Sequence, residues 1–568
     1  MSIIKLSGFS GIDKRNLISD KPECASDMSN FRITEDFSLT KRPSRIPIYQ
    51  SDEIIEGIYS GTVKGREFLL TAFGGNLYSI NTLNGAAVKL GYAGEGKCNI
   101  FGFMGEVYII TSAGIKKFDG DALLDVSPYI PTVAVACAPD GSGTPYEQIN
   151  IISPFIKQLF SCDGTSTEYR LCEKGMNRIN YVKIGGTETT SYTFNTEKHS
   201  LIFETAPAEG INNLEVCYTL ADYDFSKIFG CTNAVTFGGN SDCRVFLWGN
   251  ENYPNYRFFS ELADGLPCAA YFPVNNYTVI GNSKITCITQ QYDRQLIFTE
   301  NEAYYSYCEL KQDETGHVYS SFPVFNLNGK KGCIVNMQGC VFENKPVTLC
   351  EDGINIWEST SVENEKNVFT VSDAVFDSIK EYREPAILKN VCLFVFPYTG
   401  ELFFLMGDFA FVFNPKNRCW YKYSDFFANK YAYFKDKIYF ATDTLIYVYQ
   451  EGKNDYELAE SKWESNLFIP GTDGCSDITK VCLDIKISGP VDIEFFGKDE
   501  NGNESETTVF SYPYSVENKN ERLVFRPRIK RSSPLKIVIK TSGTGNCTLK
   551  RMILKTKSRE RKTMYGIQ

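Results

Sequence analysis

The sequence predicts an all-β protein, in which a β-propeller carries an inserted small β-sandwich and is followed by a jelly-roll-like β-sandwich. Three observations support this prediction. Of the 568 residues, 14% are aromatic, and aromatic side chains favour pleated, half-buried surfaces. Apolar residues alternate, or form short runs between Gly, Asn, Asp and Pro, which is typical of strands. Paired runs recur at intervals of roughly 35–55 residues, which suits four-stranded propeller blades.

The propeller is predicted from hairpin-like segments that share one pattern: an apolar strand, a short turn and a second apolar strand. A blade exposes apolar faces on both sides and must stack on its neighbours. We therefore expect six or seven blades, in residues 1–130 and 221–455. The segments are Arg66–Asn81, Gly105–Asp121, Arg294–Leu310, Lys345–Thr360, Gly400–Tyr423 and Asp436–Gln450.

Two further β units are predicted outside the propeller. Residues 131–220 contain short strands with Asp-Gly and Gly-Gly turns, which indicates an inserted β-sandwich. Residues 456–568 alternate strictly in Val491–Phe496 and Leu535–Lys540, which indicates a C-terminal sandwich. Tyr449–Asn466 would link it to the propeller.

The segment Ser26–Pro43, "SDMSNFRITEDFSLTKRP", predicts a strand, a turn and a returning strand. Propellers often close by pairing N- and C-terminal strands in one blade, which removes an exposed edge. We therefore expect Asn30–Thr34 to pair within the last blade, with Lys430–Gln450. The alternative is that this segment packs on a neighbouring subunit as an assembly arm.

The composition restricts the classes of function. A net charge of −10 argues against a broadly basic nucleic-acid binder. The 19 cysteines form an odd number, are irregularly spaced and include no CxxC pair, which argues against a disulfide framework or a zinc ribbon. We therefore expect free thiols and assembly in a reducing cytosol. We expect neither a secretion signal nor a membrane-spanning segment.

The stretch Leu549–Lys562 is the exception to the acidic balance. We predict a solvated basic tail here, or alternatively a contact with nucleic acid or an acidic partner. The residues that would make this contact are Lys555, Lys557, Arg559, Arg561 and Lys562.

The sequence contains no arrangement that clearly predicts catalysis. There are two histidines, His199 and His317, both in polar, turn-rich contexts, and no standard phosphate-binding loop. Five acids near strand ends are candidates for glycoside hydrolysis, but acids are common in turns. They are Asp119, Glu300, Glu302, Asp352 and Asp408. We predict no enzyme activity, catalytic residue, metal or cofactor.

The densest aromatic segment is Phe237–Gly265. Exposed aromatic residues with asparagines suit contacts with sugars or proteins. The alternative is a buried blade strand followed by an ordered loop. The candidate interface residues are Trp248, Asn252, Tyr253, Pro254 and Tyr256.

The same region resembles the propeller-bearing tail hub, nozzle or DNA-stabilisation virion proteins of short-tailed bacteriophages and prophages. The resemblance is carried by diffuse motifs over most of residues 1–450. One motif is a Gly-Asn…Pro-Asn loop, a "YFP" strand and a strand pair ending in Glu-Asn; the other is the early "NFRIT…LTKRP". The matching residues are Asp27, Asn30, Phe31, Arg32, Thr34, Asp36, Leu39, Lys41, Arg42, Pro43, Gly249, Asn250, Pro254, Asn255, Tyr271, Phe272, Pro273, Tyr277, Ile280, Gly281, Phe298, Glu300 and Asn301.

The resemblance implies a structural tail protein in the virion that is assembled in the bacterial cytoplasm. Such proteins form rings, commonly hexamers, with portal or adaptor and other tail proteins as partners. Double-stranded DNA is retained behind the ring and passes through it without sequence-specific binding. Two alternatives remain open: a tail protein that binds or cleaves glycans, and a non-viral propeller scaffold for protein partners.

Overall fold

The fold is described from a computed structural model. The structure describes residues 2–15, 18, 21–172, 176–221, 224–239, 242–312, 318–337, 339–358, 367–450, 460–470, 475–487, 489–497, 508–512, 519–527, 529–532, 534–542 and 546–559. The chain divides into two compact units, whose bounds are Met1–Gly61, Ile80–Ala87 and Lys331–Gln568 for the first and Thr62–Ser79 and Val88–Lys330 for the second.

The propeller consists of seven four-stranded sheets within the described ranges, and we number these blades in chain order. Blade 1 contains Ile55–Val63, Arg66–Phe73, Asn76–Ile80 and Ala87–Tyr92, and blade 2 contains Asn99–Phe103, Glu106–Thr111, Gly114–Phe118 and Leu123–Asp125. Blade 3 contains Asn233–Gly239, Asp242–Trp248, Tyr256–Phe259 and Tyr277–Val279, and blade 4 contains Ile285–Gln291, Arg294–Thr299, Ala303–Tyr307 and Val324–Asn328. Blade 5 contains Cys340–Phe342, Lys345–Cys350, Gly353–Trp357 and Val368–Thr370, and blade 6 contains Cys392–Phe396, Glu401–Met406, Phe409–Asn414 and Cys419–Tyr423. Blade 7 contains Lys430–Phe434, Lys437–Ala441, Leu445–Gln450 and Arg45–Gln50.

Blade 7 combines an early strand with three late ones, but the early strand is not the expected one. Arg45–Gln50 pairs with Leu445–Gln450 at the edge of the sheet. Pro47 is compatible with this position, because an edge strand has one row of amides that needs no ladder partner. The expectation that Asn30–Thr34 pairs within the last blade is therefore wrong.

The segment Phe31–Ile33 instead forms a hairpin with Leu39–Lys41, which in turn pairs with Cys547–Arg559. The physical reason is the alternation of this hairpin, which places Phe31, Ile33 and Leu39 in a buried core. The strands within residues 2–41 thus belong to the sheets of the C-terminal sandwich, and the propeller does not begin at residue 1.

The inserted sandwich lies within the second unit. Its core contains Ile156, Phe160, Tyr169, Val216 and Tyr218. Its larger sheet has the order Thr144–Pro145, Thr132–Cys137, Phe155–Cys162, Gly210–Leu220, Met176–Ile184 and Thr187–Glu188, and its smaller sheet has the order Glu168–Arg170, Ser200–Ile202 and Thr193–Asn195.

The C-terminal sandwich, with the N-terminal strands added to it, lies within the first unit. One sheet has the order Phe31–Ile33, Leu39–Lys41, Cys547–Arg559, Cys475–Ile487 and Lys519–Phe525, with Ser2–Leu6 and Ile529–Ser532 as side pairings. The other has the order Ala25–Ser29, Ser461–Ser465, Leu535–Thr541, Val491–Gly497 and Thr508–Tyr512. The basic stretch is therefore a strand up to Arg559 and not a solvated tail, because its residues Leu549, Met552 and Leu554 are buried.

The remaining elements are short. Two hairpins are formed by Leu262–Ala263 with Leu266–Pro267 and by Glu309–Gln312 with Val318–Ser321. The helices are Ser226–Phe229, Phe376–Ile379 and Pro385–Leu388, with a 3₁₀ turn at Lys380–Arg383. Within the described ranges, no helix has the length and apolar character needed to span a bilayer.

Candidate interaction surfaces

The early motif forms a buried polar joint in the first unit. Arg42 is 2% exposed, and its Nε donates a hydrogen bond to Asn30 Oδ1 at 2.9 Å. Its Nη2 donates to the Ser424 carbonyl at 3.3 Å. The guanidinium also lies over the rings of Tyr423 and Phe426 at 5.4 and 5.3 Å. Burial lowers the pKa of Arg42, because it disfavours the charged guanidinium. The hydrogen bonds and ring contacts offset part of this cost.

Asn30 holds the other side of this joint. Its backbone has φ 57°, a left-handed conformation that asparagine tolerates better than most residues. Its Nδ2 donates to Ser424 Oγ at 2.8 Å and to the Glu460 carbonyl at 3.0 Å. Asn30 and Arg42 thereby connect the N-terminal hairpin with blade 6 and with the start of the C-terminal sandwich.

The second motif is also built of structural contacts, all within the second unit. Asn250, 3% exposed, donates to the carbonyls of Ser226 and Lys227 at 2.7 and 3.0 Å. Asn255 donates to the Gly281 carbonyl at 3.0 Å, across the end of blade 3. These bonds fix the loop that follows the strand Asp242–Trp248.

The "YFP" part of this motif attaches to the inserted sandwich. The buried side chain of Asn150 accepts a hydrogen bond from the Phe272 amide at 3.0 Å and donates to the Ala270 carbonyl at 2.9 Å. Tyr271 donates its hydroxyl to the Gln148 carbonyl at 2.9 Å. Both motifs that carry the resemblance are therefore used to join parts of the chain.

The aromatic candidate interface is only partly a surface. Trp248 is completely buried with Ile285, Ile288 and Ile297, so its prediction as an interface residue is wrong. It lies on a strand of blade 3 and packs against blade 4. Asn252 and Pro254 are exposed on the loop that follows.

Tyr253 on this loop and Tyr256 at the start of the next strand are half-buried and make an edge-to-face contact at 5.2 Å. Tyr256 also stacks on Tyr277, which is 42% exposed, at 5.2 Å. Lys227 Nζ lies 5.7 Å from the ring of Tyr253. We call Asn252, Tyr253, Pro254, Tyr256 and Tyr277 the tyrosine patch. It could contact a protein or a sugar, because aromatic rings offer large contact areas with polar tips.

The candidate carboxylates are bound to separate partners. Asp119 accepts hydrogen bonds from the amides of Ala122 and Asp121, which lowers its pKa to about 2. Glu300 pairs with Lys284 at 2.9 Å, and Glu302 accepts the Tyr304 hydroxyl at 2.6 Å.

Asp352 pairs with Lys331 at 2.6 Å, and Asp408 lies exposed in the turn of blade 6. No hydrogen bond or ion pair joins two of the five acids. Within the described ranges, no group of three His, Cys, Asp or Glu residues is arranged to hold a metal ion. His199 lies in the turn before Ser200–Ile202, whereas His317 lies outside the described residues.

The strand Cys547–Arg559 presents a basic face to solvent. Lys555 is exposed and lies opposite Ile3 on one neighbouring strand and Lys480 on the other. Lys557 is also exposed and lies opposite Asp477. The side chain of Arg559 and all of Arg561 and Lys562 lie outside the described residues.

The charges on this face are unevenly paired. Arg522 and Arg551 both bind Asp484, at 2.7 and 2.5 Å, and the hydrogen bond from Arg522 is the main cause that lowers the pKa of Asp484. Lys555 and Lys557 form no ion pair with a described residue. We call Lys5, Lys480, Lys555 and Lys557 the basic face. Lysines placed in this way suit electrostatic contact with a polyanion.

A cavity of about 680 Å³ lies between blades 5 and 6 and was not predicted from the sequence. Phe369, Arg418 and Trp420 line it, together with Arg15 and the ion pair Lys345–Glu358 at 3.1 Å. These residues are far apart in the chain, so no sequence motif could have indicated the cavity.

No family model and no curated protein matches the chain. Among solved structures, apo AztD from Citrobacter koseri is similar at 9% identity and TM-score 0.28, over 84% of this chain and 98% of that one. The extracellular domain of the putative one-component system BT4673 from B. thetaiotaomicron is similar at 10% identity and TM-score 0.21, over 94% and 84%. The enzymatically active domain of bacteriophage CBA120 tailspike protein 4 has 11% identity and TM-score 0.15, and the match spans 21% of this chain and 15% of that one. Since all three TM-scores lie below 0.5, these likenesses define neither an activity nor a partner.

Proposed function

We propose that this chain is a structural virion protein of a bacteriophage tail, which assembles as a ring at the portal end and lets genomic DNA pass. The observation that carries the proposal is the use of the resembling motifs. Asn30 and Arg42 join the N-terminal hairpin to blade 6, and Asn150 and Phe272 join the inserted sandwich to blade 3. Such buried joints suit a scaffold that must keep several β domains in fixed positions.

The tyrosine patch and the basic face supply surfaces for this role. The half-buried Tyr253 and Tyr256 with the exposed Asn252 suit a contact between subunits, because partly ordered aromatic rings lose little entropy on binding. Lys555 and Lys557 suit a contact with DNA or with an acidic tail protein. In an acidic chain, such a small basic face would attract a polyanion locally without holding it over its length.

Assembly is tested on the full-length protein by native mass spectrometry and negative-stain electron microscopy. We expect rings of one fixed order. The substitution Asn252→Arg should weaken the rings, since it places a bulky charge on an exposed interface residue. Asn301→Arg, in an exposed turn of blade 4, is the matched control and should leave them intact.

Other outcomes separate the alternatives. A monomer that binds or depolymerises a bacterial polysaccharide would contradict the proposal and support the glycan-directed tail protein. A monomer that ignores polysaccharides would contradict it and support a scaffold for protein partners.

A further inference from the structure

Two cysteines of the inserted sandwich lie beside the same turn. Cys137 is the last residue of the strand Thr132–Cys137, and Cys172 follows the strand Glu168–Arg170 of the other sheet. The Arg170 amide donates to the Pro139 carbonyl at 2.8 Å, so the two segments lie side by side. Both thiols lie against the turn 138–143, where the Cys172 thiol donates to the Gly141 carbonyl at 3.1 Å and Cys137 Sγ lies beside Gly143. Cys137 is buried, whereas Cys172 is exposed to solvent.

A buried glutamine holds this pair. Gln158 is completely buried, and its Nε2 donates to Cys172 Sγ at 2.8 Å. Its Oε1 accepts the Cys172 amide at 3.0 Å, which fixes the position of that residue. An amide that donates to sulfur favours the thiolate, which is the nucleophilic form of cysteine.

The electrostatics of the pair differ from those of other thiols in the same sandwich. The hydrogen bond with Cys172 outweighs burial and lowers the pKa of Cys137 to about 7. In contrast, burial is the main cause that raises the pKa of Cys162 and Cys217. At neutral pH, Cys137 therefore has a larger thiolate fraction than Cys162 and Cys217, and the neighbouring Cys172 is exposed to an oxidant.

The backbone before Cys137 is unusual. Ala136 has φ 51°, which is costly for a residue with a Cβ atom. The pairing with Phe155–Cys162 is irregular between Ala134 and Cys137. The Ala136 amide donates to Asn212 Oδ1 at 2.7 Å, which stabilises this conformation. Such irregularities redirect the side chains beside them, and here they place Cys137 against Cys172.

We propose that Cys137 and Cys172 are a modification site, at which a disulfide forms when the protein leaves a reducing compartment and meets a small-molecule disulfide such as oxidised glutathione. The exposed Cys172 thiolate attacks one sulfur of the oxidant, and one glutathione thiolate leaves. The Cys137 thiolate then attacks the Cys172 sulfur of this mixed disulfide and expels the second glutathione thiolate. Two electrons pass to glutathione, and the two cysteine protons pass to solvent or to the leaving thiolates.

The new bond would join the two sheets of the inserted sandwich. It closes the loop from Cys137 to Cys172 and restricts the opening of the strands that flank it. This inference is independent of the proposed tail function, because it depends only on contacts within the insertion.

The full-length protein is incubated with oxidised glutathione, blocked with N-ethylmaleimide, digested without reductant and examined by mass spectrometry. We expect a peptide pair linked through Cys137 and Cys172 to appear before any other internal disulfide. It should be absent from Cys172→Ser and present in the control Cys24→Ser, since burial is the main cause that raises the pKa of Cys24. Alkylation of both thiols after another disulfide has formed would overturn the proposal.

Hydrogen exchange tests whether the disulfide restricts the opening of the two sheets. In the oxidised protein, amides 138–142 and 168–172 should exchange more slowly than in the reduced protein, by up to about tenfold. Equal exchange in the oxidised and reduced forms would show that the bond does not restrain the two sheets.

Discussion

Arg42 and Asn30 show how single residues carry the architecture of the first unit. Both are buried, and both bond to Ser424 of the chain that leaves blade 6. The sequence marked these residues as part of a motif but assigned them to a strand pair in the last blade. Their role depends on partners about 380 and 430 positions away in the sequence, which no local pattern can reveal.

Arg42→Met should destabilise the first unit, because it removes the hydrogen bonds that the guanidinium donates to Asn30 Oδ1 and to the Pro43 and Ser424 carbonyls. The expected loss is about 2–4 kcal/mol in the free energy of unfolding, measured by urea denaturation. Arg45→Met is the control, since Arg45 is only half-buried and lies over Tyr447. It should cost less than about 1 kcal/mol. Equal losses would contradict the role given to the joint.

At the scale of elements, the sequence predicts the local hairpins, but it does not predict which distant strands pair with each other. The six segments recognised from apolar runs lie in blades 1, 2, 4, 5, 6 and 7. The closing strand Arg45–Gln50 was missed because Pro47 interrupts it, and a proline lowers the expectation of a strand. The basic stretch is predicted as a tail because of its many charges, and because an irregularity between Leu549 and Arg551 interrupts the alternation of its buried residues.

The pairing in blade 7 can be tested by cross-linking. Gln50 lies opposite Leu445 in antiparallel register, and cysteines at directly opposite positions are close enough for a disulfide. The double variant Gln50→Cys, Leu445→Cys should form this disulfide under mild oxidation, as detected by peptide mapping. The control pair Thr34→Cys, Leu445→Cys should not. Cross-linking of the control alone would restore the pairing expected from the sequence.

The basic face yields a second prediction for an element. The double substitution Lys555→Glu, Lys557→Glu should reduce retention on a heparin column at low salt, because it replaces two exposed lysines with repelling charges. Lys14→Glu, Lys389→Glu makes the same change in net charge at exposed sites elsewhere. Its retention should fall less. Equal effects would mean that only the net charge matters.

For the whole molecule, 11 of the 18 described cysteines are buried. Cys340, Cys392 and Cys547 are buried in different parts of the first unit. Burial is the main cause that raises the pKa of Cys392 and Cys547 to about 12. These thiols are protected both by lack of access and by their protonated state.

Thiol labelling should therefore report global unfolding. In native protein at pH 8, iodoacetamide should leave Cys392 and Cys547 unmodified while it labels the exposed Cys172. Both should become reactive only across the urea-unfolding transition, as followed by mass spectrometry. Rapid labelling of Cys392 without denaturant would contradict the packing of blade 6.

The pairing of Ser2–Leu6 with Cys547–Arg559 has a consequence for synthesis of the protein. Ser2 lies opposite Thr556, so the first strand emerges from the ribosome long before its partner exists. At roughly 5–20 residues per second, this delay lasts about half a minute to two minutes. During that time the strand edges of the early segments have no native partner and are exposed to wrong pairing. The strand Ser2–Leu6 therefore depends on Cys547–Arg559 for its partner, and translation products that end before residue 547 would leave it without this pairing.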